Sequence, residues 1–147
     1  MKKLAILCLL VAAACTRQVN VGTAEGPNAP GGANARDAVQ KFLAAAKAEN
    51  LQAMASVWGT SEGPARSNME RAELEQREIV MLCYLKHDSY TITNESPATN
   101  RERVLAVDVT FKDLTRTANF FATEGPGGRW YLRSFEMEKL TDICQRR

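Results

Sequence analysis

Apolar and polar positions follow different patterns in different parts of this chain. Behind Lys2 and Lys3 an unbroken apolar run extends from Leu4 to Ala14 and stops at Cys15. It is too short to cross a hydrocarbon core, which takes about 20 helical residues. A basic start, a short apolar run and small residues at its end are the features of a secretory signal peptide. Residues 16–34 are rich in Gly, Pro, Ala and polar groups, show no apolar period and predict a flexible tether. From Arg36 the apolar residues recur at three- and four-residue steps, and Val39, Phe42, Leu43 and Ala46 predict the buried face of a first helix. Asn50 predicts the cap of a short second helix with Leu51, Met54, Ala55 and Trp58 on its apolar side, ended by Gly59 and Gly63-Pro64. Ser67-Asn-Met-Glu70 has the spacing of a capping box, so a third helix is expected from there to about Lys86. Its charge run from Glu70 to Glu78 predicts a solvated face, and Met69, Ala72, Ile79, Leu82 and Cys83 its inner one.

From Asp88 the period becomes two. Tyr90 and Ile92 alternate with threonines in a strand closed by Ser96-Pro97. Residues 103–112 predict a second strand, with Leu105, Val107, Val109 and Phe111 on one face and Val104, Ala106, Asp108 and Thr110 on the other. A tight connection at Lys112–Thr115 leads to a strand ending near Thr123, and the Gly-rich turn 124–129 leads to a last strand from Trp130 to about Met137. The apolar phase slips within that last strand, so a bulge near Arg133-Ser134 is expected. A polar tail containing Cys144 follows. Three helices and then four antiparallel strands predict an α+β fold with the helices on one face of a meander.

The junction Ala12-Ala13-Ala14-Cys15 resembles a bacterial lipoprotein signal, in which the cysteine is acylated and becomes the first mature residue. It departs from that pattern in carrying Ala12, not Leu, three residues before the cysteine, so ordinary cleavage to a free thiol stays open beside acylation. The resemblance implies a signal peptide over residues 1–14, a lipid anchor such as palmitate on Cys15, a tether over 15–35 and a single domain over 36–147. It also implies the cell envelope, with Thr16 favouring the outer membrane, facing the periplasm.

Charge and cysteine content change meaning once that segment is set aside. The chain has 19 basic and 17 acidic side chains, and loss of Lys2 and Lys3 leaves the two in balance. A neutral mature chain has no electrostatic footprint for nucleic acid. Cys8 departs with the signal and Cys15 is taken by lipid, which leaves Cys83 and Cys144 in a compartment that permits disulfides. A bridge between them closes a loop of about 60 residues and stabilises by about 4 kcal/mol at most in the chain-entropy model. Two unpaired thiols are the alternative. With no Cys-x-x-Cys spacing, redox catalysis and zinc binding are not expected.

The order of elements resembles the nuclear transport factor 2-like superfamily, a cone formed by a curved sheet wrapped around helices. Val39-x-x-Phe42-Leu43 followed by Leu51-x-x-Met54-x-x-x-Trp58 is similar to the opening of its small bacterial members, and Gly128-Arg-Trp130-Tyr-Leu132 to its closing strand. One departure is that residues 59–66 leave no room for the hairpin many members place between the second and third helices. The resemblance offers a location and a fold but no activity. The expected role is a non-catalytic binding or interaction module of the cell envelope, with an envelope protein partner or a small apolar ligand. The alternative is a pocket that binds or transforms a small apolar molecule.

Some members of that superfamily catalyse reactions with carboxylates, tyrosines or histidines that line the cone. Here His87, at the end of the third helix, reads as a boundary histidine favoured by the helix dipole rather than a base. Asp108 belongs to the polar face of its strand; only if that face lined the cone would it serve as a base beside Tyr90. Gly125-Pro-Gly-Gly128 precedes a strand rather than a helix, so it is a turn and not a phosphate loop. Neither a metal nor a cofactor is expected, because no Cys/His/carboxylate cluster has ligand spacing and the chain has a single His.

Overall fold

The first helix owes its start to a reciprocal cap. In the computed structural model, which describes residues 29–146, the Asn34 side chain accepts from Asp37 N at 2.8 Å and the Asp37 carboxylate accepts from Ala33 N at 2.8 Å. This satisfies otherwise orphaned donors at the positive end of α1 (Ala35–Lys47). One stripe of α1 buries Ala38, Val39, Phe42 and Leu43 completely. Asn50 caps α2 (Leu51–Val57) by accepting from Ala53 N at 3.0 Å, as its position implies. The expected export segment, Cys15 and most of the expected tether lie outside the described residues. The folded contacts begin ahead of Arg36: Gly32 pairs with Trp130, and the Arg129 guanidinium donates to the carbonyls of Pro30 and Gly31 at 3.0 and 2.8 Å.

Residues 59–66 do hold a hairpin, contrary to expectation. β1 (Gly59–Thr60) and β2 (Gly63–Pro64) pair antiparallel in two-residue strands. Gly59 makes so small a hairpin feasible, since a Cβ there would lie 2.2 Å from Gly63 O. The third helix also departs from its expected form. A single turn, α3 (Ala65–Asn68), precedes α4 (Arg71–Tyr84), so the break falls inside the anticipated capping box. The cap is Glu70 itself, whose carboxylate accepts from Ala72 N at 2.8 Å and Glu73 N at 3.2 Å. The inner face of α4 is Leu74, Glu78 and Met81, while Ile79 is 58 % and Val80 51 % exposed. Leu74, Glu78, Met81 and Leu85 lie at helical spacing, and burial of that stripe against the core turns Ile79 outward.

Four strands then form a meander: β3 (Ser89–Pro97), β4 (Glu102–Phe111), β5 (Leu114–Glu124) and β6 (Trp130–Phe135), ordered β3-β4-β5-β6 and antiparallel throughout. The expected bulge is present: Phe121 faces Ser134 and Ala122 faces Leu132, leaving Arg133 as the extra residue. That slip lets Leu132 and Phe135 both point to the core despite their odd spacing. A second slip, around Thr93 in β3, is not visible in the apolar pattern. The segment expected to be a polar tail folds back instead. A 3-10 turn (Met137–Leu140) and α5 (Thr141–Gln145) bury Leu140 and Ile143 completely. Cys83 and Cys144 are joined by a disulfide with Cα atoms 4.7 Å apart, which ties α5 to α4. Ion pairs from Arg116 to Asp142 at 2.5 Å and from Arg146 to Asp113 hold α5 over the β4–β5 turn.

Candidate functional site

The face of the sheet that packs against the helices is where an interior ligand site is expected, and apolar side chains occupy it. Leu105, Val107 and Val109 of β4, Phe120 and Ala122 of β5 and Leu132 of β6 have no accessible area, like Phe42, Leu43 and Met54 from the helices. A side chain with zero accessible area borders no water-sized void, whether sealed or open. Phe120 and Phe135 stack with centroids 5.3 Å apart inside this layer. Among these side chains the space between sheet and helices is filled.

Of the titratable residues singled out by sequence, the structure brings two together and separates the third. Tyr90 pairs with Val109 and shares its inward face. His87, buried to 7 % exposure just beyond α4, lies edge-on to it at 5.6 Å between ring centroids. Asp108 points to the opposite face, where it accepts from Thr117 Oγ1 at 2.6 Å. An Asp108–Tyr90 acid–base pair is therefore not assembled. Alternation dictates this, because Asp108 sits between Val107 and Val109 and their inward packing turns it out.

His87 Nδ1 lies 2.7 Å from Leu85 O, so that nitrogen carries the proton and donates, and the buried Nε2 has no partner. Burial pushes its pKa below 6.5; the Leu85 carbonyl and Asp88 pull it back up, and Lys47 lowers it further. His87 thus lies at the boundary position just beyond α4, where desolvation is the largest influence and favours the uncharged ring. His87 borders an open groove of about 420 Å³ over the disulfide, walled by Lys47, Leu82, Cys83 and Phe111.

The residue that sequence reasoning missed is Glu78. It was placed in the solvated charge run, yet it is 1 % exposed and its Oε1 has no hydrogen-bond partner. Burial first and the Glu75 charge second push its pKa up to about 7. The signal was available: Leu74, Glu78, Met81 and Leu85 share one helical stripe, and an acid in an apolar stripe is an anomaly. Glu78 borders a cleft of about 260 Å³ between α2, α3 and α4, together with Gln52, Arg66, Arg71, Leu74 and Glu75. Arg71 is bound to Glu75 at 2.8 Å. Among the described residues neither Arg66 nor Gln52 makes a side-chain hydrogen bond or ion pair, and the Arg66 charge is felt by Tyr131.

Among the described residues no group of three or more His, Cys, Asp or Glu is placed to hold a metal ion. No helix there is long and apolar enough to cross a membrane.

No family model and no curated protein matches the chain. It is similar to the solved structure of an NTF2-like protein of unknown function from Cytophaga hutchinsonii, with 17% identity over 74% of this chain and 95% of that one, at a TM-score of 0.40.

Proposed function

We propose that this is an exported protein anchored through lipid on Cys15 to the envelope membrane, whose domain acts as a non-catalytic binding module. The observation that supports the second half is the filled space between sheet and helices. Among the described residues Leu105, Val107, Val109, Phe120 and Leu132 are fully covered, and Asp108 lies on the face opposite Tyr90. Recognition is left to the clefts between helices and to the outer surface. The first half stands on Lys2, Lys3, the apolar run and the Ala-Ala-Ala-Cys15 junction. One acyl chain alone holds a protein reversibly, so durable anchoring needs more than one chain.

The test is direct. Metabolic labelling with palmitate should mark the wild-type chain and leave Cys15→Ser unmarked, and the variant should leave the membrane fraction. Membrane retention of an unlabelled Cys15→Ser protein would contradict the anchor.

A further inference from the structure

An ionisable group belongs on the surface of a stable helix, and α4 places one where a leucine would pack. Glu78 lies in the stripe of Leu74 and Met81, 1 % exposed, with one carboxyl oxygen buried and unpartnered. Leaving such an oxygen without a donor is destabilising, so its retention asks for a donor that arrives from outside. The cleft it borders also contains a cation, Arg66 on α3, that has no ion-pair partner among the described residues. Glu78 and Arg66 line the same small space, and no ion pair joins them. Gln52 on α2 adds an amide able to donate and accept, and Leu74 supplies an apolar wall.

We propose that the cleft between α2, α3 and α4 binds a compact zwitterion, with its ammonium group on the Glu78 carboxylate and its carboxylate on Arg66. A volume of about 260 Å³ suits a molecule of amino-acid size and is smaller than the roughly 300–1,000 Å³ of drug-sized sites. Ammonium N–H donors satisfy the Glu78 carboxylate, and a charge-assisted bond between guanidinium and carboxylate satisfies Arg66. The Arg71–Glu75 pair at the rim is already closed on itself. This ligand class rests on the binding-module reading, but the two fail separately: losing the site leaves Cys15-dependent membrane association untouched.

Binding of the ammonium end requires ionised Glu78, so affinity for it should rise with pH. The charged groups bordering the cleft are Arg66 from α3 and Arg71 and Glu75 from α4, while α2 presents only the neutral Gln52. Burial and Glu75 hold Glu78 protonated up to about pH 7.

The experiment is calorimetric titration of the full chain in detergent, at pH 6 and pH 8. The probes are glycine, 4-aminobutyrate and 6-aminohexanoate, with butylamine and butyrate as single-charge controls. One zwitterion should bind saturably, at least tenfold tighter than either control and several-fold tighter at pH 8 than at pH 6. Glu78→Gln should weaken it at least tenfold and abolish the pH dependence. Arg66→Gln, an exposed substitution on α3 that leaves the core untouched, should weaken it at least fivefold while sparing butylamine. Absence of saturable heat with all three zwitterions overturns the proposal. So does undiminished binding by either variant, or butylamine binding as tightly as the zwitterions.

Discussion

Helices α1 and α4 are of nearly equal length and both lie against the core, but they treat their buried faces differently. In α1 the stripe Ala38, Val39, Phe42, Leu43 and Ala46 is apolar throughout, and its charges are outside. In α4 a carboxyl interrupts the stripe at Glu78, while Ile79 and Val80 stand in solvent. The first arrangement maximises burial. The second sacrifices some burial, and a disulfide ties it to α5. The contrast separates a helix whose residues serve stability from one that carries a group stability does not require.

The largest expected effect strikes the α1 side. Phe42→Ala leaves a cavity against a sheet with no spare space and should destabilise by about 3–5 kcal/mol in chemical denaturation. A loss under about 1 kcal/mol would mean the layer can collapse around the gap. Next is the staple: Cys144→Ser should remove about 2–4 kcal/mol and release α5, read as hydrogen exchange at Leu140 and Ile143. Protection unchanged at those amides would show that the ion pairs of Arg116 and Arg146 suffice.

Glu78 predicts an opposite sign. Its pKa in the fold is about 7, above its ordinary 4.5. Between those values the folded state binds more protons than the unfolded one, so the contribution is fully present below about pH 4.5 and is lost as pH rises through 7. The span corresponds to roughly 3 kcal/mol. His87 works the other way: its pKa in the fold is below 6.5, so its contribution is present above 6.5 and is lost on acidification. Glu78→Leu should therefore raise stability at pH 8 by about 1–3 kcal/mol and steepen the loss of stability on acidification, in denaturation curves at pH 5, 6, 7 and 8. A variant less stable than wild type at pH 8 would show that the carboxylate has a partner in solution. The smallest effect belongs to Asp108→Asn, which alters only an exposed bond to Thr117 and should change stability by about 0.5 kcal/mol or less.

Local regularities account for what was legible along the chain. The period of α1, the cap at Asn50, the alternation of Leu105, Val107 and Val109 and the phase slip at Arg133 each depend on near neighbours, so each appears directly in the residues. The same alternation turned Asp108 outward. Three features were not legible, the first because a tight backbone approach leaves no apolar period and the other two because their causes lie far away in sequence. The hairpin at 59–64 depends on a close approach of two glycines, the fold-back of 137–145 on the cross-link to Cys83, and the rotation of α4 on which stripe the core accepts.

By itself, then, the order of residues determined the α+β class, the meander, the bulge and the pairing partners available to the two late cysteines, because period and spacing are properties of adjacent residues. Only the tertiary structure decided that the described side chains fill the space between sheet and helices, that His87 is desolvated and that Glu78 is buried. Accessible area and desolvation are set by what packs against a residue, and those neighbours arrive from distant parts of the chain.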